Sequence, residues 1–501
     1  MRSYVGEAIR PVAETFDAAR MAAGGPGLPG EFVWRDRRVR VQRVIGEWRE
    51  TAPCRHGSGE RYVSRHWFDV LADDGSEMRL YFERRARGRA LAARWWLFSV
   101  TSVLCALISA FGAFASEPVS EKSMEARIAD RCFPSVFQAW NPAENLKEDR
   151  TATAARHDLI FGDVSFFGLC WDAEPQGLAV AFTPASILRA REKRRALMRL
   201  NPNLILLVEI RYRDAHRSYL PDGHAWWRRD REGKIVAGWE EGGYLQLDFG
   251  QATFREQVAK QAQAAVASGA VDGVMLDWWQ DDADRLALVR AIRARIGEKA
   301  LILVNANDRR VPLTAPFING LFMECCRSAT AADWARIAET LSWAEAHLRP
   351  LRINCLETWY HASRADENLM RCTTTLALAL SDGYCLFSDP NPLPTPDHLH
   401  NWYAFWGREL GRPLGRGQTR PDGALERAFE GGTAVCTVTN TGPVTVAFGE
   451  PRLRRSTGQR ACVFTVEPRD GDLFMRAPMR PPDAAGPSNP RCGRRAPAAP
   501  R

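Results

Sequence analysis

The chain of 501 residues is 45% hydrophobic and 26% charged, which are ordinary proportions for a globular protein of two or three domains. Its net charge of +8 comes almost wholly from scattered arginines, since there are only six lysines, and does not by itself indicate a nucleic-acid partner. The 12 cysteines form no CxxC pair and the nine histidines no HExxH motif, which excludes the usual zinc spacings and predicts no metal and no cofactor. His398 and His400, in "HLH", are interpreted as solvated loop histidines.

Residues 1–30 show no periodic pattern and are predicted to be disordered. Residues 31–94 alternate polar and apolar residues, as in "RYVSRHWFDVLADDGSEMRLYFER", and break at a "DDGS" turn, which predicts a small β-rich domain. This stretch is similar to a small uncharacterised bacterial domain that also occurs alone, a resemblance that implies no chemistry. Its arginines leave open a contact of residues 1–94 with nucleic acid. No nucleic acid is expected to bind the larger domain that follows.

The segment 95–115 carries no charge and follows an arginine-rich run at 84–94. Its length is about the 20 residues that a helix needs to cross a bilayer, and the positive flank would stay in the cytoplasm. It ends in Ala113-Phe114-Ala115, which has the small-x-small form of a signal-peptidase site. The segment is therefore predicted to be a transmembrane helix or a signal peptide. Residues 116–501 are accordingly expected to be exported or membrane-anchored outside the cytoplasm, in the periplasm or beyond the cell.

Several interpretations of this segment stay open. The chain is anchored in the membrane through 95–115, or translation begins at Met78 and residues 78–115 are a cleaved signal. The segment could instead be a buried hydrophobic helix. The stretch "ARWWLFSV" also fits the last strand of the N-terminal domain, so that two assignments compete for residues 93–100.

From residue 132 onward, short apolar runs alternate with amphipathic helical stretches such as "PASILRAREKRRALMRL" and "DADRLALVRAIRARIG". The eight runs are "SVFQAWN" (135–141), "DLIFGDVSFF" (158–167), "LILLVEIRY" (204–212), "VDGVMLDW" (271–278), "ALILVNAN" (300–307), "INGLFMEC" (318–325), "LRINCLET" (351–358) and "GYCLFSD" (383–389). Nearly continuous apolar strands joined by crossover helices indicate a parallel sheet that is covered on both faces. Eight such repeats predict an α/β fold, a (β/α)8 TIM barrel, over residues 130–415.

Functional residues of this fold lie at the C-terminal ends of the barrel strands. The side chains expected there are Trp140, Asn141, Glu209, Arg211, Tyr212, Asp277, Trp278, Trp279, Asn305, Asn307, Glu324, Glu357, Trp359, Tyr360 and Asp389. Carboxylates among aromatic residues, without a nucleotide-binding or GxSxG motif, suit glycoside hydrolysis. In that reaction one carboxyl group donates a proton to the leaving oxygen, and the other attacks the anomeric carbon or activates water. The aromatic residues, amides and Arg211 are predicted to bind the sugar.

The stretch "SGAVDGVMLDWW" (268–279) resembles the fourth strand of barrel glycoside hydrolases related to the endo-polygalactosaminidases and, more distantly, to the α-galactosidases. The resemblance implies that Asp277 is the strand-four carboxylate and acts as the nucleophile. The stretch "GYLQLDFGQATFREQV" (243–258) resembles the segment before the third helix in this group, which implies that Asp248 lies near the rim and binds substrate. A role of Asp248 in capping that helix is an equal alternative. An ion pair between Asp277 and Arg211 is the structural alternative to catalysis.

The partner of Asp277 is less sharply defined. In the α-galactosidase arrangement the acid comes from strand six, which implies Glu324 here. In another clan of barrel hydrolases strand seven supplies an essential glutamate, which implies Glu357 as an alternate catalytic or substrate-binding residue. Glu209 could take any of these roles or simply pair with a cation. A carboxyl separation of about 5–5.5 Å would indicate a retaining enzyme, and one of roughly 6.5–9.5 Å an inverting enzyme.

Residues 420–477 alternate with period two around Gly-Gly, Asn-Thr-Gly and Asp-Gly turns, which predicts a small antiparallel β domain after the barrel. The tail 479–501 is rich in proline and arginine and is predicted to be disordered. The functional prediction is a glycoside hydrolase that cleaves a polysaccharide of the cell envelope or the extracellular matrix. The alternative is a non-catalytic glycan-binding barrel, related to such hydrolases, that keeps the aromatic residues. The sequence indicates neither the sugar nor the oligomeric state.

Overall fold

The computed structural model describes the chain in two compact units, residues 1–120 and 121–501. The described residues are 2–17, 21, 26–35, 37–53, 61–73, 76–83, 94–101, 121–240, 242–359, 366–388 and 398–476.

The N-terminal unit is a seven-stranded antiparallel sheet in the order β1-β7-β6-β5-β4-β3-β2. Its strands are β1 (Arg2–Ala8), β2 (Arg10–Pro11), β3 (Glu31–Trp34), β4 (Arg37–Pro53), β5 (Arg61–Ala72), β6 (Glu77–Glu83) and β7 (Trp95–Thr101). Alternate residues of the strands point to one face, where Phe32, Phe68, Leu80 and Leu97 form a core. The other face carries an aromatic row in which Trp67 lies between Trp48 and Tyr81, with ring centroids 5.9 and 4.8 Å away.

Two predictions for this region are wrong. Residues 1–30 are not disordered throughout, because Arg2–Ala8 pairs with β7 at one edge of the sheet. The domain also does not end at residue 94, because Trp95–Thr101 forms β7, so a membrane helix or signal peptide covering all of 95–115 is excluded. Each error has the same cause, since β1 and β7 pair across most of the domain's length and local periodicity carries no information on such pairing.

The remainder of the apolar segment, residues 102–115, lies outside the described residues. Of the helices in the described ranges, none combines the length and the apolar character needed to cross a bilayer. Met78 lies inside β6, so a chain that began there would lack the five strands that precede β6. The N-terminal sheet therefore argues against translation starting at Met78.

The second unit contains the predicted barrel, an eight-stranded parallel sheet. Its strands are β8 (Phe137–Ala139), β9 (Leu159–Gly162), β10 (Ile205–Glu209), β13 (Gly273–Leu276), β14 (Leu301–Asn305), β15 (Gly320–Cys325), β16 (Cys355–Trp359) and β17 (Tyr384–Ser388). The sheet closes between its first and last strands, where Val136 pairs with Cys385 in parallel and the Cys385 N–H donates to the Ser135 carbonyl at 2.9 Å. All eight predicted strands are confirmed, each within the apolar run that predicted it or one residue beyond.

Amphipathic helices connect the strands. They are α1 (Met124–Ala129), α2 (Arg150–Ala155), α3 (Pro184–Leu200), α4 (Ala252–Ala267), α5 (Ala283–Ile296), α6 (Ala331–His347) and α7 (Glu367–Leu380). A short antiparallel pair, β11 (Asp214–His216) and β12 (Tyr244–Gln246), forms in the long connection after β10. This pair, which the sequence did not predict, places Tyr244 beside the C-terminal end of β10, where the ring lies 4.9 Å from the Arg211 guanidinium carbon.

The chain ends in a six-stranded antiparallel sheet that packs on α7 and confirms the predicted C-terminal β domain. Its strands are β18 (Gln418–Thr419), β19 (Leu425–Phe429), β20 (Gly432–Cys436), β21 (Val444–Arg454), β22 (Arg460–Val466) and β23 (Gly471–Met475). Asp470 accepts two hydrogen bonds from Arg371 of α7, both at 2.9 Å. The sheet therefore braces the barrel as part of the same compact unit. The tail 479–501 lies outside the described residues.

Candidate active site

The fourth barrel strand, β13, has an acidic residue next to each end, and the two acids have different roles. Asp272 precedes the strand and is buried, with its Oδ1 2.5 Å from Arg127 and 2.7 Å from Arg194. The next residue has to be glycine, because a Cβ atom at Gly273 would lie 2.0 Å from the Leu301 carbonyl oxygen of the neighbouring strand. Asp277 comes directly after the strand at its C-terminal end. Asp272 therefore secures the base of the strand, and Asp277 belongs to the rim where barrel enzymes act.

Asp277 and Glu324 converge on one amide. The Nδ2 atom of Asn305, the last residue of β14, donates to Asp277 Oδ1 at 2.8 Å and to Glu324 Oε2 at 2.6 Å. Strand β13 leads into Asp277 and β15 carries Glu324, so the strand between them supplies the bridge. The two carboxylate oxygens can be no farther apart than the sum of these two distances. The structure thus brings together the two residues predicted to be catalytic.

Glu209, the last residue of β10, lies on the other side of Asp277. Its carboxylate pairs with Arg211 at 3.0 Å and accepts a hydrogen bond from Trp140 Nε1 at 2.9 Å. Among the described residues, Arg211 has no ion pair with Asp277, so the predicted structural alternative for Asp277 does not hold. Glu209 is only 4% exposed, which makes it a less accessible carboxylate than Glu324.

Glu357 of β16 is fully buried, and its carboxylate is held by other side chains. It accepts a hydrogen bond from the Ser388 hydroxyl, and its Oε2 lies 2.9 Å from His398 Nδ1. This burial contradicts the prediction that Glu357 contacts substrate or acts as the alternate acid. Instead the carboxylate fixes the imidazole of His398, whose ring lies 4.8 Å from that of Trp140.

His398 is a residue of the candidate site that the sequence did not identify. The interpretation of His398 and His400 as solvated is wrong, because both are buried, and His400 Nε2 lies 2.9 Å from His157 Nε2. Burial alone would lower the pKa of His398, but the charges of Glu357, Glu324 and Asp277 raise it to about 9. The site therefore contains a protonated imidazole at neutral pH.

Burial also shifts the pKa values of the acidic side chains. It raises the pKa of Glu324 to about 7, an effect that His398 opposes and that Asp277 and Glu357 reinforce. It raises the pKa of Glu209 to about 7 against the attraction of Arg211. Burial raises the pKa of Asp277 as well, while the hydrogen bond from Asn305 and the charge of Arg211 lower it. Glu324 thus has the neutral-range pKa that an acid catalyst needs.

The two tryptophans after Asp277 face different surroundings. Trp278 is 50% exposed, has a φ angle of 56°, and carries the Arg213 guanidinium carbon 4.1 Å from its ring centroid. Trp279 is fully buried and donates through Nε1 to Thr314 Oγ1 at 3.1 Å, so its predicted contact with substrate is wrong. Tyr212 is buried too, and its hydroxyl donates to the Trp278 carbonyl at 2.8 Å, which makes it a support for the loop and corrects its prediction as a sugar ligand.

The remaining predicted residues lie at different distances from the pair. Asn307 is close, since its Nδ2 donates to the Glu324 carbonyl at 3.0 Å. Asn141 and Trp359 are half-buried beside their strand ends. Asp248 accepts a hydrogen bond from Gln251 Nε2 at 2.7 Å, but Gln251 is the N-cap of α4 and no described side chain caps that helix, so the capping role predicted for Asp248 does not hold. Tyr360 and Asp389 lie outside the described residues. In the described ranges, no three His, Cys, Asp or Glu side chains are grouped as metal ligands.

Comparisons with known proteins give a family for the N-terminal part alone. Residues 1–102 match the model of a domain of unknown function, DUF6504. No curated protein matches the chain.

Solved structures that resemble the chain include an α-amylase from Lactobacillus plantarum (9% identity, 71% of this chain and 100% of that chain, TM-score 0.44). Another is a β-L-arabinopyranosidase from Geobacillus stearothermophilus (12% identity, 71% and 100%, TM-score 0.43). A third is a debranching enzyme from Nostoc punctiforme (11% identity, 68% and 98%, TM-score 0.41). Likeness at this level carries no argument about activity, so the case for a function rests on the site, and the resemblance to endo-polygalactosaminidases stays a prediction.

Proposed function

We propose that the chain is a retaining glycoside hydrolase in which Asp277 is the nucleophile and Glu324 the general acid and base. The observation that carries the proposal is the Asn305 amide, which bonds to both carboxylates at 2.8 and 2.6 Å. The sum of these distances is an upper limit for the separation of Asp277 Oδ1 and Glu324 Oε2, and it lies below the roughly 6.5–9.5 Å spacing of inverting pairs and close to the roughly 5–5.5 Å spacing of retaining pairs. This short separation supports direct attack by Asp277 on the anomeric carbon and hence a retaining reaction.

The protonation states suit these roles. Glu324, with a pKa of about 7, is partly protonated at neutral pH and can give its proton to the glycosidic oxygen. Burial raises the pKa of Asp277, but the hydrogen bond from Asn305 and the charge of Arg211 oppose that rise and favour the ionised form that attacks the anomeric carbon. Once the leaving group departs, Glu324 is anionic and removes a proton from the water that hydrolyses the glycosyl ester.

Two competing assignments have less support. Glu209 also has a pKa of about 7, but it is ion-paired with Arg211, bonded to Trp140 and nearly inaccessible. A non-catalytic glycan-binding barrel would not require two carboxylates to converge with the pKa of one of them raised. The convergence of Asp277 and Glu324 therefore favours catalysis over binding alone.

The substrate proposed is a polysaccharide of the cell envelope or extracellular matrix, and the barrel is proposed to act outside the cytoplasm. Support for this location is confined to the sequence, namely the uncharged residues 102–115 and the small-x-small form of 113–115. Because β7 takes up Trp95–Thr101, the uncharged stretch left over is shorter than the roughly 20 residues of a membrane helix. Export would then use residues 102–115, either as a signal segment that follows the folded N-terminal domain or as an anchor that spans only part of the bilayer.

The test is to incubate the full chain with a panel of polysaccharides and to count the reducing ends released. For any substrate that is cut, Asp277→Asn and Glu324→Gln should each reduce kcat by about 100-fold or more. Glu339→Gln, on the exposed surface of α6 where the carboxylate pairs with Arg310, is the matched control and should change kcat by less than about threefold. If both site variants cleave at the wild-type rate, the pair is wrong. If nothing is cut but glycans bind, the binding-barrel alternative holds.

A further inference from the structure

A second hollow of the barrel face, of about 530 Å³, adjoins the carboxylate pair. The residues of interest in its wall are Arg213, Arg228, Gln246, Trp278, Arg285 and Arg309. It borders the region of Asp277, because Arg213 and Trp278 line both this hollow and the small one that contains Asp277. Arg309 in turn lines the hollow that contains Glu324. A sugar ring here would neighbour the ring bound at the carboxylate pair.

The charges of this hollow do not cancel. Its two acidic residues are already paired, Asp282 with Arg285 at 2.5 Å and Asp284 with Arg255 at 3.7 Å. Arg228 and Arg309 are exposed and, within the described part of the chain, have no carboxylate at ion-pair distance.

Among the described residues, Arg228 and Arg309 donate side-chain hydrogen bonds to neutral oxygens alone. Arg228 donates to the Gln246 side-chain oxygen at 3.4 Å. Arg309 donates to the Asn307 side-chain oxygen at 2.9 Å and to the Ala306 carbonyl at 3.3 Å. These neutral partners orient the guanidinium groups without neutralising them, which leaves two positive charges available to an anion.

Trp278 provides an ordered apolar surface between these charges. Its φ angle of 56° is one that non-glycine residues rarely adopt, and its carbonyl is held by Tyr212 at 2.8 Å and by Arg285 at 2.9 Å. Arg213 lies over the ring at 4.1 Å. The half-exposed indole is thus fixed at the boundary between the catalytic hollow and the positive one.

We propose that this hollow is a subsite for an anionic sugar unit, one that carries a carboxylate, sulfate or phosphate group, with Arg228 and Arg309 as the ion partners. Trp278 is the surface on which the ring stacks. The inference rests on the proposed function only in that the sugar belongs to the polymer cleaved at Asp277. Planar guanidinium groups suit all three anions, which share acceptor oxygens in a fork geometry.

Matched pairs of polysaccharides that differ in charge alone test the subsite. The pairs are polygalacturonate and its methyl ester, dextran sulfate and dextran, and phosphomannan and mannan. Binding of the full chain carrying Asp277→Asn is measured by affinity electrophoresis at about 0.05 M and 0.3 M salt, because added salt screens exposed charges. Wild-type protein is assayed in parallel for reducing ends. The three pairs separate the carboxylate, sulfate and phosphate sources.

We expect one charged polymer to bind at least about tenfold more tightly than its neutral counterpart. The double variant Arg228→Gln/Arg309→Gln should abolish that preference. The control Arg229→Gln/Arg310→Gln removes the same net charge from neighbouring exposed positions, where Arg229 bonds to a carbonyl at 2.7 Å and Arg310 pairs with Glu339 at 3.0 Å. It should change binding by less than about twofold.

The outcomes separate this inference from the proposed function. Charge-dependent binding that needs Arg228 and Arg309, without cleavage of any polymer, supports the subsite and counts against the hydrolase. Cleavage of neutral polymers with no charge preference supports the hydrolase and overturns the subsite. An equal loss of binding in the double variant and its control shows attraction by net charge alone and also overturns the subsite, as does the absence of binding to every charged polymer.

Discussion

The imidazole of His398 bonds through Nδ1 to the carboxylate of Glu357, at 2.9 Å from Oε2, and the two side chains form a buried pair whose carboxylate belongs to the register partner of Glu324. Glu357 keeps the imidazole protonated, and its positive charge then lowers the pKa values of both Glu324 and Asp277. The pair acts on catalysis through the protonation of its neighbours. His398 is therefore a positioning and charge-setting residue whose substitution should change the pH dependence of the reaction.

Replacement His398→Asn should shift the whole pH–rate profile to higher pH. Without the imidazolium charge, the pKa values of Asp277 and Glu324 both rise, so the acidic and the alkaline limbs of kcat against pH move in the same direction. A shift of about half a unit to one unit is expected. The measurement is kcat from about pH 4 to pH 10 on any substrate that the panel identifies.

His347→Asn is the control for this experiment, because His347 lies at the end of α6 and bonds only to the Trp343 carbonyl of its own helix. Its profile should coincide with that of the wild type. A His398 variant that loses activity equally at every pH would show a purely structural role. Loss of stability is expected in addition, since removing one partner of a buried ion pair costs about 3–5 kcal/mol.

Glu324 is predicted to destabilise the fold at alkaline pH. Its pKa is raised from 4.5 to about 7, so the folded protein binds its proton more tightly than the unfolded chain does. A carboxyl group whose pKa is raised by folding does not reduce the free energy of unfolding below about pH 4.5. The reduction grows as the pH rises toward 7 and is complete above it. Glu324→Gln should therefore raise the free energy of unfolding by on the order of 1–3 kcal/mol at about pH 8 and change it little at about pH 4.

Thermal unfolding of the Glu324 variant at several pH values is the measurement. The exposed Glu339, which pairs with Arg310 on the surface, supplies the control Glu339→Gln, for which no pH-dependent gain is expected. A gain of equal size at both ends of the pH range would mean that burial of Glu324 is not what shifts its pKa. The expected result would also show that the site lowers the stability of the fold in exchange for its function.

The barrel could be predicted from the sequence because each of its strands is a continuous apolar run, a local signal that survives without knowledge of contacts. The rim positions of Asp277 and Glu324 followed from the same logic, since the end of a run marks the rim, but their choice as a pair came from the resemblance to barrel glycoside hydrolases. His398 could not be predicted in this way. Its burial depends on Glu357, a residue distant in the chain, and "HLH" carries no local sign of that contact.

The adjacent tryptophans show a second limit of sequence reasoning. Trp278 and Trp279 are chemically identical, yet one is half-exposed and the other fully buried. What separates them is the left-handed backbone at Trp278, together with the Thr314 hydroxyl that receives the Trp279 N–H. Neither feature has a signature in "LDWWQDD". Pairing of Arg2–Ala8 with Trp95–Thr101 was missed for the same reason, because the contact is long-range.

Asp272→Asn is expected to destabilise the barrel without a direct effect on catalysis. Burial would raise the pKa of Asp272, but Arg127 and Arg194 hold it below its usual value. A depressed pKa means that this stabilisation is present above the ordinary aspartate range, about pH 4, and is lost as the pH falls through the lower folded value. The variant should lose about 3–5 kcal/mol at neutral pH, because two buried arginines lose the buried carboxylate that both contact and keep only Glu121, which is partly exposed.

Urea unfolding of the Asp272 variant at neutral pH is the check. Asp284→Asn is the comparison, since Asp284 is exposed and its nearest ion pair, with Arg255, is 3.7 Å long. It should change the free energy of unfolding by less than about 1 kcal/mol. If Asp272→Asn costs no more than the comparison, the two arginines do not depend on that carboxylate. Any folded fraction of the Asp272 variant should keep the wild-type KM.

Hydrolysis is predicted to retain the anomeric configuration. The shared hydrogen bonds to Asn305 hold Asp277 Oδ1 and Glu324 Oε2 closer together than the roughly 6.5–9.5 Å spacing of inverting pairs. Proton NMR of freshly cleaved product, recorded before mutarotation, distinguishes the two outcomes. Product of inverted configuration would rule out Asp277 as a nucleophile and would require a base farther from Glu324. Azide should also restore activity to Glu324→Ala, since a small anion can then attack the glycosyl ester.

Asn305→Ala should impair catalysis strongly, because the Asn305 side-chain amide donates a hydrogen bond to both Asp277 and Glu324. Losing its hydrogen bonds raises the pKa of Asp277 and that of Glu324, and it also removes the group that fixes their separation. We expect kcat to fall by about 100-fold and the acidic limb of the pH–rate profile to move to higher pH.

The conservative variant Asn305→Gln, which keeps the amide but moves it by one methylene, should recover part of the pH profile and little of kcat. Equal profiles for wild type and Asn305→Ala would mean that the two carboxylates are held by other contacts, and the central role of Asn305 in the site would fail.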